Sequence, residues 1–176
     1  MNSKIRMYTI WGAIFTVFAG SGLHFLFDAS GSWHPVALIA AVNESTWEHL
    51  KLAFWPAFFF AILEYYMYGK TVKNFCVAKA LLFIIPPIII VGLFYGYTAI
   101  IEDNFILDIL IFVIAVIFGY IINYKIMISQ RDFSSWNRLS YIIIIAILLK
   151  FSLFTFFPPH LFLFKDPVGG GYGITK

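Results

Sequence analysis

Five long apolar segments constrain the fold of this chain more than any other feature. They cover residues 7–27, 46–69, 76–98, 104–124 and 139–157. A helix of roughly 20 apolar residues crosses the hydrocarbon core of a bilayer, because each residue adds about 1.5 Å. Only 12% of the residues are charged, against about 25% in a soluble domain. The sequence therefore predicts an all-α, multi-pass membrane protein with five transmembrane helices in one domain, residues 1–176.

A sixth apolar run, residues 36–42, is too short to cross the bilayer. It follows Pro35 and Trp33, which are typical of a helix start and of headgroup depth, so we predict an interfacial or re-entrant segment. A cleaved signal peptide is an alternative for the N-terminus, because the small residues 19–21 resemble a cleavage site. The apolar run continues to Phe27, which favours an uncleaved first helix.

The basic residues indicate an orientation. If the N-terminus is cytoplasmic, the inner segments carry most of them, namely Lys4, Arg6, Lys70, Lys73, Lys79, Lys125, Arg131 and Arg138. The outer segments carry Lys51, Lys165 and Lys176. Because cytoplasmic loops are enriched in Lys and Arg, we predict the N-terminus inside and the C-terminus outside. Glu64, near the inner end of the second span, is expected to reach Lys70, Lys73 or water.

The acidic residues and histidines sort to the opposite side. All histidines, and all acids except Asp132 and Glu64, lie on the outer half. Carboxylates and imidazoles suit a metal ion or another cation, whereas the inner basic face suits anionic lipid headgroups. Nothing in the charge pattern indicates nucleic acid as a partner.

The densest polar stretch, residues 43–51, opens the second span. Ser45 and Glu48 fit a capping box, in which the Ser45 hydroxyl and the Glu48 carboxylate each accept a backbone N–H. Glu48 could also pair with Lys51 one turn later. A capping box does not explain Glu44 or His49, so these two residues are candidates for binding or chemistry.

A metal site is one hypothesis for the outer half. His24, His49 and His160 would bind a divalent ion such as zinc, with Glu44 or Glu48 as the general base. The other expected pocket residues are Asp28, Asn43, Lys51, Lys150, Asp166 and Tyr172. Lys150 lies within the fifth span, and it should either pair with Asp28, Glu44 or Glu48 or extend to water.

Two further patterns concern packing. Ala53, Ala57 and Ala61 form a stripe of small residues, which predicts a close contact with a partner helix. After Pro158 the chain continues with an apolar run and then glycines, so we expect the C-terminus to fold back onto the outer surface. It would either cover the pocket or lie as a plain interfacial tail.

The string Asn43-Glu44-Ser45-x-Trp47-Glu48-His49-x-Lys51, with His24 and the terminal Asp166-Pro167 and Gly171-Tyr172-Gly173-Ile174, resembles a family of small bacterial membrane proteins of unknown function. The resemblance implies the bacterial inner membrane and no activity. Ser21-x-x-His24-x-x-x-Asp28 is loosely similar to transmembrane metal hydrolases related to alkaline ceramidases, in which three histidines hold zinc. Their paired His-x-x-x-His is missing here.

Two functions remain open at the level of sequence, beside the third alternative of a purely structural helper protein. The first is an outward-facing pocket that binds a metal or a cationic headgroup and hydrolyses a lipid or peptide bond. The second is a non-enzymatic component that binds or transports a small molecule, with the C-terminus as a gate. Whether the protein is an enzyme is therefore undecided.

Overall fold

The computed structural model describes residues 1–174, so Lys176 lies outside the described residues. Five α-helices are present: α1 (Asn2–Ala29), α2 (Thr46–Met67), α3 (Phe75–Thr98), α4 (Phe105–Ile128) and α5 (Asn137–Leu153). Residues 1–174 form no strand, only an isolated antiparallel bridge between Lys165 and Tyr172. All five helices are long and apolar enough to cross a membrane, the last counted from Ser134. The predicted all-α membrane fold with five spans is confirmed.

The helix boundaries differ from the predicted ones by four or more residues at three ends, and one of these is the end of α4 at Ile128, four residues later than predicted. α1 begins at Asn2, so Lys4 and Arg6 lie on its first turns instead of before it. α5 ends at Leu153, four residues earlier than predicted. A proline ring clashes with the carbonyl four residues earlier, so Pro158 prevents residue 154 from continuing the helix. The short run after Pro35 forms a 3₁₀ turn, His34–Leu38, and no spanning helix.

α2 is the central helix. More than half of the residues in its 18-residue apolar stretch are buried, against 11% in the corresponding stretch of α5. Ala53, Ala57 and Ala61 are buried in the main core together with side chains of α3 and α4. The alanine stripe, which we expected to contact a partner helix, thus packs against the chain's own helices.

α1 approaches α2 closely at Gly20. A Cβ added at Gly20 would lie 2.5 Å from the Leu52 carbonyl oxygen, which is too close for any side chain. Gly20 lies one turn before His24, and Leu52 lies one turn after His49. The close approach of the two backbones therefore brings these histidines within reach of each other.

The bundle has two chemically different ends. We call the end that contains the C-terminus of α1 and the N-terminus of α2 the histidine end, and the opposite end the lysine end. Near the lysine end, Lys79 pairs with Glu64 at 2.5 Å and donates to the Asn123 Oδ1 atom at 3.0 Å. Tyr68 donates to the other Glu64 oxygen. The predicted partners of Glu64 were wrong, because Lys79 on α3 reaches it inside the bundle.

Candidate functional site

Three predicted site residues converge at the histidine end. The His24 and His49 Nε2 atoms lie 3.1 Å apart, and the Glu44 Oε2 atom lies 3.5 Å from His24 Nε2 and 3.4 Å from His49 Nε2. His24 comes from the last two turns of α1 and His49 from the first turn of α2. Glu44 lies in the loop just before α2.

The backbone of α2 fixes the orientation of His49. Its Nδ1 atom lies 2.9 Å from the Ser45 carbonyl oxygen. Because a carbonyl only accepts hydrogen bonds, Nδ1 carries the proton in this contact, and the neutral ring presents the Nε2 lone pair to the cluster. Ser45 is the N-cap of α2 and accepts from the Glu48 N–H at 3.4 Å. The predicted capping role of Ser45 is thus confirmed.

Glu44 carries a negative charge under neutral conditions. Its pKa lies below the ordinary value mainly because the protonated form of His49 donates a hydrogen bond to it from Nε2, and the charges of protonated His49 and His24 act in the same direction. Partial burial opposes this shift. An ionised carboxylate next to two imidazole nitrogens is a suitable environment for a cation.

The geometry of these three groups matches one face of a tetrahedral metal site. Ligands at about 2.0–2.1 Å from a tetrahedral zinc ion lie about 3.3–3.4 Å from one another. The observed separations of 3.1, 3.4 and 3.5 Å bracket that value. Within residues 1–174 this is the group of His, Cys, Asp and Glu side chains that could hold a metal. Two histidines and a glutamate would leave the fourth position open, as in catalytic zinc sites.

Glu48 has a different environment from the one predicted for a general base. Its Oε2 atom pairs with Lys51 at 2.6 Å and accepts from the Val42 N–H at 3.1 Å. Its Oε1 atom accepts from the Thr155 hydroxyl at 2.9 Å. The Glu48 and Lys51 side chains are both fully buried. Glu48 does not return a bond to the Ser45 N–H, so the second half of the expected capping box is not formed.

Lys51 completes this buried network. Its ammonium donates to the Ala37 carbonyl and to the Thr155 hydroxyl, each at 2.8 Å. The network therefore joins the 3₁₀ turn, α2 and the turn after α5. Sequence reasoning missed Thr155, because a single threonine near two prolines carries no recognisable signal.

The remaining predicted residues lie outside the cluster. The His160 ring stacks on Tyr172 with centroids 4.5 Å apart and is not part of the three-residue group. Lys150 is exposed, and within the described chain it forms no ion pair with Glu44 or Glu48. Asp166 accepts from the Val168 N–H at 3.0 Å and so holds a turn. Asp28 is exposed and close enough to His24 for an electrostatic interaction.

The C-terminal segment, residues 162–174, packs on the histidine end. Phe164 lies against Trp47 with ring centroids 4.6 Å apart, and Phe162 meets Tyr95 edge-on at 5.1 Å. The Asn43 amide donates to the Gly173 carbonyl at 2.8 Å. The predicted fold-back of the C-terminus is confirmed.

A second polar group, missed as a group by the sequence analysis, lies at the same end. The Tyr97 hydroxyl contacts Asp103 at 2.8 Å and Asp108 at 2.6 Å. The Asp108 carboxylate is close enough to His49 for an electrostatic interaction. The histidine end therefore holds more negative charge than the three-residue cluster alone.

These features define the class of the protein: a multi-pass helical membrane protein with a polar cluster at one end of its bundle. The chain belongs to the family of unknown function DUF6512, whose model matches residues 1–174. No curated protein and no solved structure matches the chain. The match agrees with the expectation of a family of unknown function.

Proposed function

We propose that this protein is a metal-dependent membrane hydrolase whose divalent ion, such as zinc, is bound by His24, His49 and Glu44. The triangle of ligand atoms with sides of 3.1–3.5 Å is the observation that carries the proposal. Two imidazoles and one carboxylate match the donor set of several catalytic zinc sites. The Ser45 carbonyl supports it, because ligating histidines are usually oriented by such a second contact.

A metal ion with an open coordination position makes water nucleophilic near neutral pH. Water would add to the carbonyl carbon of an ester or amide, and the bond to the alcohol or amine would break. The attacking water must give up a proton. In this proposal Glu44 is a ligand and Glu48 stays paired with Lys51, so another group must accept this proton. We assign that role to Asp28, an exposed carboxylate close enough to the His24 ring for an electrostatic interaction, which would then pass the proton to the leaving alcohol or amine.

The proposal places the histidine end outside the cytoplasm, in a bacterial inner membrane. Seven basic residues at the lysine end have exposed side chains, namely Lys4, Arg6, Lys70, Lys73, Lys125, Arg131 and Arg138. At the histidine end Lys51 is buried in its pair with Glu48. Lys150 and Lys165 are exposed at that end, but the exposed positive charge of the described residues remains concentrated at the lysine end, which supports a cytoplasmic N-terminus.

Metal analysis of the purified protein tests the proposal. The protein is purified in detergent without chelator, through an affinity tag that contains no histidine. We expect about one zinc ion per chain in the wild type, and loss of most of it in His24→Ala and His49→Ala. His34→Ala and His160→Ala are matched controls, since both side chains are exposed and lie outside the cluster.

The outcomes separate the hypotheses. Zinc that is lost in His160→Ala would support the three-histidine site expected from sequence and contradict the present ligand set. A wild type without metal would refute the proposal. A third outcome is zinc-loaded protein that hydrolyses no ester or amide, with no difference in this respect between the wild type and Asp28→Asn. That outcome would favour the binding or transport component.

A further inference from the structure

The loop that carries Glu44 is held by contacts on both sides of this residue. The Asn43 Oδ1 atom accepts from the Ser45 N–H at 2.9 Å and so closes a turn around Glu44. The Asn43 Nδ2 atom donates to the Gly173 carbonyl at 2.8 Å. One step earlier, the Val42 N–H donates to the buried Glu48 carboxylate. Asn43 thus joins the loop to a residue that lies 130 positions further along the chain.

Gly173 is itself fixed in place. Its φ angle is +65°, a conformation that favours glycine, and an added Cβ would lie 2.8 Å from the Thr155 carbonyl. The C-terminal segment is braced internally, because the Asp166 N–H donates to the Gly171 carbonyl at 2.9 Å. It therefore presents the Gly173 carbonyl to Asn43 from a defined position against the turn after α5.

Glu44 depends on this support. Its side chain is 47% exposed, and its described polar contacts are those to His24 and His49. Because about half of the side chain is exposed, packing constrains the carboxylate only in part, and its position depends on the backbone that carries it. The distance from Glu44 to the two imidazoles is therefore controlled by the backbone of residues 43 and 45.

We propose that Asn43 is a positioning residue, which lets the C-terminal segment hold Glu44 in its metal-binding position through Gly173. This inference rests on the proposed metal site. It assigns a function to the C-terminal segment that is neither a plain tail nor a gate: the segment supports one ligand. Groups that orient metal ligands typically change metal affinity about 10- to 100-fold when they are removed.

Two variants break the same contact from opposite sides. Asn43→Ser retains an oxygen for the Ser45 N–H but cannot reach the Gly173 carbonyl. Gly173→Ala displaces the carbonyl without a change at residue 43. Zinc affinity is measured by competition with a chromophoric chelator, and the site geometry by the visible spectrum of the Co²⁺-loaded protein. We expect affinity about 10- to 100-fold weaker and an altered Co²⁺ spectrum in each variant.

The double variant tests whether the two residues act through one contact. Because either change already breaks it, the double variant should bind zinc about as weakly as the single ones. Asn104→Ala is the matched control: Asn104 caps α4 at the same end, accepting from Ile106 and Leu107, without contact to the cluster. Its zinc affinity and Co²⁺ spectrum should equal those of the wild type.

Unfolding in excess chelator separates positioning from mere stability. Variants that unfold more easily in chelator but bind zinc with wild-type affinity and spectrum would overturn the positioning role while leaving the metal site intact. Loss of affinity in Asn104→Ala of the same size would also overturn it. A wild type that binds no zinc would refute the site itself, and this inference with it.

Discussion

Glu64 and Lys79 form an ion pair that is fully buried in the part of the bundle nearest the lysine end. The Glu64 side chain is completely inaccessible, and Lys79 is 2% exposed. Tyr68 and Asn123 supply the additional hydrogen bonds. A charge taken out of water without its partner is expensive, whereas a complete pair with satisfied hydrogen bonds is tolerated. Removal of one member of the pair is therefore strongly destabilising, because the other charge stays buried without a counter-charge.

We expect Glu64→Gln to lower the free energy of unfolding by about 3–5 kcal/mol, because it leaves the Lys79 ammonium buried without a counter-charge. The double variant Glu64→Gln/Lys79→Met removes both charges, so its free energy of unfolding should fall by less than that of Glu64→Gln. The measurement is unfolding of detergent-solubilised protein by titration with a denaturing detergent. Glu102→Gln, at an exposed position, is the matched control. A single variant as stable as this control would contradict the prediction.

Among the helices, the contact between α1 and α2 decides whether the proposed metal ligands His24 and His49 meet. The two backbones approach closely at Gly20 and Leu52. The Thr16 and Tyr120 hydroxyls, 2.9 Å apart, join α1 to α4 one turn further from the site. α1 can therefore not shift along α2 without loss of packing and of a buried hydrogen bond.

Gly20→Ala tests this element. The added methyl group would clash with the Leu52 carbonyl, so we expect α1 to move away from α2. The free energy of unfolding should fall by about 1–3 kcal/mol, and zinc binding should weaken. Gly22→Ala is the matched control, because a Cβ there meets nothing within 4 Å. It should keep wild-type zinc affinity and stability. Wild-type zinc binding in both variants would show that the close approach does not position His24.

For the whole molecule, the distribution of charge predicts the orientation in the membrane. The exposed lysines and arginines of the loops are concentrated at the lysine end, and the histidines and most acids lie at the other end. Lys and Arg in short loops favour the cytoplasmic side. The proposed metal site would then open to the outside.

Single cysteines test this orientation in a background that carries Cys76→Ala. A cysteine at Glu102 should react with a membrane-impermeant thiol reagent in intact cells, because Glu102 is exposed at the histidine end. A cysteine at Lys73 should react only after the cells are opened. The reverse pattern would place the site in the cytoplasm and refute the predicted topology.

The sequence alone determined the five spans and the position of the polar stretch at the start of α2. Long apolar segments and N-caps are local properties, so Ser45 caps α2 as predicted. Only the tertiary structure decided which groups meet: His49 with His24 instead of His160, and Glu64 with Lys79. Periodicity gives the direction of a side chain around its own helix axis, whereas the distance between groups on different helices depends on backbone approaches such as that of Gly20 to Leu52.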